Sequence, residues 1–258
     1  MKVADNQIDN YLNEFAPASL EEVKKIKSFK RSNSKYVFSI RKLPEILVEM
    51  SAHYKLLYVN EIAAHPHTTV YYDTPEYAMY NAHQNGKLSR CKLRHKNYDE
   101  SDSGYLELKY KNNKREKRKN KIKFSLAAQN LSEADEFLKK NSPFTAADLS
   151  PQIVIKYTRL TFLNIENGER ITCDYELNVA AYDNQEKIIN LEHLCVLEIK
   201  RAKNKKQSLV SDLLLTHKIQ LKGMSKYCIG LAAVNKRLKN NRFKEKMRIL
   251  DKFRFQTV

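Results

Sequence analysis

Lysine and arginine alternate with apolar residues along three consecutive stretches in the middle of the sequence. The stretches lie at 90–96, 105–111 and 119–124, and the first reads Arg-Cys-Lys-Leu-Arg-His-Lys. Because successive side chains of a β-strand point to opposite faces, each stretch would carry its charges on one face and its apolar side chains on the other. A surface of fixed ammonium and guanidinium groups is suited to binding the oxygens of a phosphate chain.

Two later stretches show the same alternation, with acids among the charged residues. Thr172, Asp174 and Glu176 would share one face of a strand, and Glu198 and Lys200 would share a face of another. A carboxylate beside cations can be an ion-pair partner, or it can bind a divalent metal whose other ligands come from phosphate and water. For Glu198 both interpretations remain open, and Asp174 and Glu176 can also balance the cations structurally.

The elements around these strands must turn the charged faces toward one another. The pattern predicts a strand-rich middle with about six helices, including helices at 4–26, 43–54 and 225–238, which is typical of an α+β domain on an antiparallel sheet. An amphipathic sheet whose charged face meets water would also explain the alternation. Like charges on neighbouring strands destabilise such a sheet, so we expect helices outside and a barrel with its charges inward.

The overall composition favours an anionic partner and excludes several classes of protein. The chain has 258 residues, 42% of them hydrophobic, and a formal net charge of +17, which suits nucleic acid, an anionic membrane surface or phosphates. No apolar run approaches the roughly 18 residues of a transmembrane helix, and residues 1–10 contain no apolar signal segment. The four cysteines form no C-x-x-C pair, and so few of them suit a reducing compartment. We therefore expect a cytoplasmic protein.

Eight short motifs, in this order, resemble the triphosphate tunnel metalloenzymes and, among them, the VTC (vacuolar transporter chaperone) polyphosphate polymerase domain. They are SKY at 34–36, VYYDTP at 70–75, GKLSRCKLR at 86–94, GYLELKYK at 104–111, KYTR at 156–159, ERITCD at 169–174, VLEIK at 196–200 and GMSKY at 223–227. Each motif is short, and it is their shared order over most of the chain that makes the resemblance specific.

The resemblance implies a closed, eight-stranded antiparallel β-barrel whose tunnel binds polyphosphate, with helices packed outside. It implies a phosphotransferase that moves the terminal phosphate of ATP to a growing polyphosphate chain and uses Mn²⁺ or Mg²⁺, which Glu198 would hold. The residues implied in catalysis are Lys92, Arg94, Lys109, Arg159 and Lys226. The residues implied in substrate binding are Lys35, Lys111, Lys121 and Tyr157.

Two of the predicted site residues also depend on local arguments. Ser225 opens the last predicted helix, where free N–H groups and the positive end of the helix dipole favour a bound phosphate. We predict that it binds substrate, and we interpret its hydroxyl as a helix cap, not as a nucleophile. Arg159 shares its nominal face with Ile155 and Tyr157, which does not suit a tunnel ligand unless a β-bulge intervenes.

We interpret the segment 65–67, His-Pro-His, as a loop at a turn.

The sequence departs from the family pattern in two places. Many tunnel enzymes begin with a Glu-x-Glu-x-Lys strand, but residues 31–35 read Arg-Ser-Asn-Ser-Lys, which speaks against the thiamine-triphosphatase and adenylate-cyclase branches. Lys92 and Lys111 stand where eukaryotic members more often have Arg and His. Lysine binds phosphate as a point charge, without the bidentate fork of arginine, so the geometry of the site can differ.

We expect three segments and keep three possible functions. The segments are an N-terminal helical segment at 1–28, a tunnel domain at 29–235 and a basic helical tail at 236–258. The expected partners are ATP and polyphosphate, and we expect no specific nucleic acid, because the sequence has no RNA-recognition stretch, zinc finger or heptad-linked basic region. Besides a polymerase, a hydrolase of tripolyphosphate or nucleoside triphosphates, or a non-catalytic polyphosphate-binding module, would fit the same residues.

Overall fold

A long, curved antiparallel sheet organises the computed structural model, which describes residues 5–26, 31–98, 101–114, 116–125, 131–202, 208–221 and 223–254. The strands are β1 (Pro17–Ala18), β2 (Arg31–Ser39), β3 (Lys55–Leu57), β4 (His65–Asp73), β5 (Arg90–Tyr98), β6 (Ser101–Lys111), β7 (Lys117–Lys123), β8 (Ser150–Asn164), β9 (Glu169–Ala181), β10 (Ile189–Leu191) and β11 (Leu194–Ala202). The helices are α1 (Asp5–Leu12), α2 (Leu20–Lys25), α3 (Leu43–Ser51), α4 (Ala78–Gln84), α5 (Asp135–Asn141), α6 (Leu209–Thr216), α7 (Lys226–Val234) and α8 (Asn241–Lys252). The predicted α+β class is confirmed. The predicted boundary between residues 28 and 29 lies outside the described residues.

Eight of the strands form one continuous ladder in the order β2-β11-β9-β8-β4-β5-β6-β7, and neighbours run antiparallel. The short strands β3 and β10 pair with β8 and β9, and β1 pairs with β3. The sheet curls into an open half-barrel whose edges lie 11 Å apart, more than twice the roughly 4.8 Å spacing of paired strands. The structure therefore shows an open half-barrel and does not show the closed barrel that the resemblance implies.

Both edge strands of the half-barrel carry lysine, which disfavours their pairing. β7 carries Lys117, Lys119, Lys121 and Lys123 at alternate positions, and β2 carries Lys35. Pairing these edges would bring Lys35 close to the lysines of β7, and like charges on neighbouring strands destabilise a ladder. Lysines on an edge strand also discourage its pairing with other strands. The lysine alternation that suggested a closed tunnel thus opposes closure of the bare sheet.

Helices α3, α5 and α6 cover the convex face of the sheet, where the sequence predicted all of the helices, and α7 departs from that prediction. Leu47 of α3 and Leu214 of α6 are fully buried in one core with Phe162 of β8 and Leu197 of β11. A second core, which includes Leu138 of α5, covers the outer side of β5 and β6. Burying a leucine or phenylalanine side chain contributes about 1.5–3 kcal/mol, so these contacts hold the strands in their curved arrangement.

α7 lies on the opposite, concave face. Its Ile229 shares a core with Ile155 of β8 and Val196 of β11, which alternate with the convex-face residues of the same strands. Gly230 allows a close approach, because a Cβ at this position would lie 3.1 Å from Cγ1 of Val179 on β9. α7 therefore fills one half of the concave face and leaves the other half, beside its N-terminus, to charged side chains.

A β-bulge between β8 and β9 changes which residues of β9 face inward. The register shifts between Lys156 and Thr158, and Glu176, on the partner strand, has a positive φ of 52°. After the bulge, Leu177 belongs to the concave core, whereas Glu176 accepts a hydrogen bond from the hydroxyl of Thr158 on the other side of the sheet. The prediction that Glu176 shares a face with Asp174 is wrong for this reason.

Two further properties of the sequence can be compared with the structure. All four cysteines are free thiols, and each is buried. In the part of the chain that the structure describes, no helix combines the length and the apolar character needed to cross a membrane.

Candidate functional site

The charged half of the concave face, which we call the bore, holds three carboxylates among a larger number of cations. The bore is defined by Lys35, Lys92, Arg94, Lys96, Glu107, Lys109, Lys119, Arg159, Asp174, Glu198, Lys200 and Lys226. Each carboxylate pairs with two cations, of which at least one comes from a neighbouring element. The bore is thus a set of three ion-pair clusters that together keep an excess of positive charge.

The first cluster joins β8, β9 and the first residue of α7 around Asp174, whose side chain is only 4% exposed. Nε and Nη2 of Arg159 donate to Oδ1 and Oδ2 of Asp174, at 2.6 and 2.8 Å. Lys226 also pairs with Oδ2. Burial raises the pKa of Asp174, but Arg159 and Lys226 outweigh burial and lower it. The carboxylate therefore stays ionised and fixes both cations.

Tyr157 lies between the same two cations. Nζ of Lys226 is 4.5 Å from the centroid of the Tyr157 ring, and Cζ of Arg159 is 5.3 Å from it. Tyr157 and Arg159 share the concave face of β8 with Ile155, as simple alternation requires. No bulge within β8 is needed, because α7 covers Ile155 and begins, at Lys226, beside Arg159.

The second cluster joins β5, β6 and β7 around Glu107. Nε and Nη2 of Arg94 both donate to Oε2 of Glu107, at 2.8 and 2.5 Å, and Lys119 pairs with Oε1. Burial raises the pKa of Glu107, but Arg94 and Lys119 outweigh burial and lower it to about 2. Lys109 lies opposite both Lys92 and Lys119 in the ladder. The positive charge of Arg94, with burial next, lowers the pKa of Lys109 to about 7.

The third cluster joins β2 and β11 around Glu198. Lys35 and Lys200 pair with Oε2 of Glu198 at 3.0 and 3.5 Å. Burial raises the pKa of Glu198, but the two lysines lower it to about 2. Burial lowers the pKa of Lys200 to about 8, although Glu198 acts in the opposite direction. Near neutral pH the bore therefore combines ionised carboxylates with lysines that are close to losing their charge.

The surroundings of Glu198 fit a divalent metal in combination with phosphate. Both ion pairs of Glu198 use Oε2, which leaves Oε1 as an available ligand atom. Among the described residues, no group of three or more His, Cys, Asp or Glu side chains could hold an ion by itself. Mn²⁺ and Mg²⁺ prefer oxygen ligands, and Mg²⁺ keeps several waters. Phosphate oxygens and water would therefore have to complete the metal's coordination at Glu198.

Ser225 connects the first turn of α7 to the bore. Its Oγ accepts a hydrogen bond from the backbone N–H of Cys228 at 3.3 Å, which makes it the N-cap of the helix. The same oxygen accepts from Nζ of Lys92 at 2.7 Å. The hydroxyl thus caps the helix and also orients a lysine of the bore.

The structure brings most of the predicted site residues together. Those in the bore or in contact with it are Lys35, Lys92, Arg94, Lys109, Tyr157, Arg159, Glu198, Ser225 and Lys226. Two others lie apart from the three clusters. Lys111 ends β6, opposite Arg90 and Lys117 in the ladder. Lys121 lies opposite Glu107 in the ladder, but it is Lys119 that pairs with this carboxylate. Lys121 is exposed on the edge strand β7, and its Nζ lies 4.2 Å from the centroid of the Tyr105 ring.

Three lysines of the bore were not predicted as site residues, namely Lys96, Lys119 and Lys200. Each lies two residues from a predicted site residue on the same strand. Side chains two positions apart share a strand face, so a consistent use of the alternation would have included all three.

Sequence reasoning also missed a row of buried polar side chains on one face of β4. His65, His67 and Thr69 are buried in this strand, so the interpretation of 65–67 as a loop at a turn is wrong. Alternation counted back from Thr69 would have placed both histidines on its face. Burial, followed by the charges of Lys96 and Arg159, lowers the pKa of His67 to about 2. The His67 imidazole is therefore neutral at physiological pH.

Comparison with known proteins adds a family and a fold. A family model described as VTC domain matches residues 30–235. A candidate adenylate cyclase from Bacillus halodurans shares 10% identity and a TM-score of 0.50, over 76% of this chain and 94% of that chain. An adenylyl cyclase candidate from Hippeastrum, reported to have a dominant triphosphatase activity, shares 13% identity and a TM-score of 0.48, over 79% of this chain and 96% of that chain. At this identity the Bacillus halodurans structure shows a common fold alone. No curated protein matches the sequence.

Proposed function

Because the chain belongs to the VTC domain family, we propose that it is a polyphosphate polymerase that transfers the terminal phosphate of ATP to a growing phosphate chain. The observation that carries the proposal is the bore, where cations from several strands and α7 outnumber three ionised carboxylates. A triphosphate or a phosphate chain has the opposite charge at close spacing. Such a chain would compete with the carboxylates for the donors that line the bore.

The proposed reaction balances without a general base. An oxygen of the chain's terminal phosphate, already anionic near neutral pH, attacks the γ-phosphorus of ATP. The bond from that phosphorus to the β,γ-bridging oxygen breaks, and the electron pair leaves with the oxygen, so ADP departs and the chain gains one phosphate. The protein must therefore align donor and acceptor and neutralise charge on the transferred group.

The arginines and the lysines of the bore have different roles in this reaction, because their charged groups differ in geometry. Arg94 and Arg159 each direct two N–H donors at one carboxylate, and the same fork suits two non-bridging phosphate oxygens. We assign Lys92, Lys109 and Lys226 to the same catalytic group. Each would act as a point charge that neutralises the transferred phosphate without a fixed pairing geometry. Residues proposed to hold the remaining phosphates are Lys35, Lys111, Lys121, Tyr157 and Ser225.

We assign Glu198 as the protein ligand of a Mn²⁺ or Mg²⁺ ion that arrives with the nucleotide. When bound, the ion neutralises negative charge on the phosphate oxygens. The ionised state of Glu198 and its available Oε1 support this assignment.

We also propose that the closed, eight-stranded barrel belongs to the state with a bound phosphate chain. An anion between Lys35 on β2 and Lys119 on β7 would remove the repulsion that opposes closure. The tunnel domain would then comprise residues 29–235, flanked by the helical segment 1–28 and the basic tail 236–258. Spin labels on β2 and β7 should approach each other when tripolyphosphate is added, and an unchanged distance would contradict closure.

Incubation of the purified protein with ATP and Mn²⁺, followed by sizing of the products on a gel, tests the proposed reaction. We expect long phosphate chains from the natural sequence and none from Glu198→Gln. Glu186→Gln, at an exposed position outside the bore, is the matched control and should retain activity. Release of orthophosphate alone would indicate a hydrolase in the same site, and binding of polyphosphate without turnover would indicate a non-catalytic module; either result contradicts the polymerase.

A further inference from the structure

A second group of cations lies at the end of the bore where β5 begins and β6 ends. We call it the mouth, and it comprises three cations, Arg90 of β5, Lys111 of β6 and Arg242 of α8, together with the neutral His83 of α4. Arg90 and Lys111 lie opposite each other in the ladder. Burial, followed by the positive charges of Lys92 and of the three mouth cations, lowers the pKa of His83 to about 2. One imidazole is thus surrounded by cations from three elements.

Arg242 comes from a helix that lies beyond residues 30–235, the part of the chain matched to the family. Phe243 anchors this helix, α8, against Tyr80 of α4, with ring centroids 5.7 Å apart. The amide oxygen of Gln84, in the orientation that satisfies its neighbours, accepts hydrogen bonds from the backbone N–H groups of residues 241 and 242 at 3.1 Å. The backbone at Arg242 is therefore fixed beside the end of α4.

The turn after α4 makes room for the side chain of Arg242. Gly86 adopts a positive φ of 71° and lies directly beneath the guanidinium, so that a Cβ at this glycine would collide with Nη1 of Arg242. Any other residue here would be strained by the backbone conformation and would displace the guanidinium. The fold thus keeps an exposed arginine close to the first residues of β5.

The mouth continues the cationic surface of the bore. Arg90, Lys92 and Arg94 follow one face of β5 with a step of about 6.7 Å, and Lys92 is hydrogen-bonded to Ser225 at the start of α7. Each carboxylate of the bore already holds its cations. By contrast, no carboxylate among the described residues forms an ion pair with Arg242, which is exposed. The donors of Arg242 are therefore available to a ligand that comes from outside.

We propose that the mouth binds the part of a phosphate chain that extends beyond the bore, with Arg242 as its principal contact. The inference rests on the proposed function for the identity of the anion, whereas the binding itself requires no turnover. A triphosphate would occupy the bore alone, while a long chain would occupy the bore and the mouth together. The mouth would then retain the product between successive additions of phosphate.

Two probes separate the mouth from the bore, namely inorganic tripolyphosphate and long-chain polyphosphate. Each is titrated into the 258-residue chain by isothermal titration calorimetry at several KCl concentrations. Arg242→Ala should weaken binding of the long chain about tenfold, because the guanidinium makes charge-assisted hydrogen bonds. It should also reduce the salt dependence by roughly one unit of slope. The affinity for tripolyphosphate should stay the same.

Two further variants control for charge and geometry. Arg248→Ala removes the same charge from an exposed position elsewhere on α8 and should leave both affinities unchanged. Arg242→Lys keeps the charge without the fork and should restore part of the binding of the long chain.

Several results would overturn the proposal. One is an equal loss for Arg242→Ala and Arg248→Ala, which would mean a diffuse charge effect. Another is a loss of tripolyphosphate affinity, which would assign Arg242 to the bore. A third is a single-stranded RNA that binds through Arg242 when polyphosphate does not. Failure of the proposed function gives a different result, because the natural protein would then make no polymer from ATP. Arg242→Ala would still weaken binding of the long chain alone, and that result supports the mouth.

Discussion

The concave face of the sheet has two halves that are built from the same strands and stabilised in opposite ways. On β8, Ile155 packs against α7, and Arg159, four residues later on the same face, binds Asp174. Removing apolar surface from water contributes about 25 cal/mol per Å², whereas a buried ion pair often does no more than offset its own desolvation. The apolar half therefore stabilises the fold, and the bore trades stability for a fixed array of charges. Substitutions in the two halves should have separable effects.

The largest expected effect is on the rate, from a substitution in the bore. Arg159→Ala removes two donors that are directed at one anionic position, and we expect the rate of polymer formation to fall by about 10²–10³-fold, as for other preorganised donors. Lys156→Ala, three residues earlier and exposed on the opposite face of β8, is the matched control. A variant that keeps more than a tenth of the natural rate would show that Arg159 does not contact the reacting phosphates.

The second effect is on stability, from a substitution in the apolar half. Ile155→Ala leaves a cavity beneath α7 and should lower the free energy of unfolding by about 2–5 kcal/mol, measured by urea denaturation. The folded fraction should bind tripolyphosphate as tightly as the natural protein. Lys226→Met is the counterpart in the bore, and it should weaken binding with a smaller loss in the free energy of unfolding than Ile155→Ala, because burial disfavours the charge of Lys226 and Arg159 still pairs with Asp174. Equal behaviour of the two variants would remove the distinction between the halves.

The sequence predicted the antiparallel α+β fold because strand alternation has a period of two that no other element shares. It also grouped Lys92 and Arg94 on one face, and the structure has both on the concave side. The roles of these residues remain predictions. Counting in steps of two along β5 needed no knowledge of the rest of the chain.

The features of the structure that strand alternation does not predict depend on contacts between segments that are distant in the sequence. The bulge at Glu176 reverses the faces of β9, and nothing in the local residue types marks it. The open seam lies between β2 and β7, which are about 80 residues apart in the chain. The position of α7 inside the curve depends on the close approach at Gly230. The mouth could not be predicted because Arg242 belongs to the basic tail. The residue types in that tail do not show which of its lysines and arginines lies next to the bore.

The third effect links the two halves through a ligand. A compound that binds only the folded state stabilises it by about 2.7 kcal/mol at a concentration of one hundred times Kd. For a chain of this size the Tm should rise by roughly 5–10 °C with tripolyphosphate, measured by differential scanning calorimetry. The shift should shrink in Lys226→Met and persist in Ile155→Ala, although the latter starts from a lower Tm. An equal shift in both variants would mean that the ligand binds outside the bore.

The smallest effect is on the pH dependence of binding. It tests whether the lysines of the bore need a bound anion to keep their positive charge. Lys109 and Lys200 have pKa values of about 7 and 8, below the ordinary 10.5. A phosphate chain favours their charged forms, so binding takes up protons, and the affinity for tripolyphosphate should fall by roughly tenfold as the pH rises from 7 to 9. Lys109→Arg keeps its charge throughout and should reduce this fall. Because the ligand is the same, its own titration cancels in the comparison.

The free protein should show the opposite trend in stability across the same window. Between pH 7 and 10.5 the unfolded chain binds more protons at these two lysines than the folded chain does, so the contribution of the bore to the free energy of unfolding rises with pH. Bound tripolyphosphate raises the pKa values of both lysines and should flatten that rise. Urea denaturation with and without the ligand measures both slopes. If the lysines instead keep ordinary pKa values, neither the rise nor its flattening will appear, and the bore would then be a solvated surface with no need of an anion.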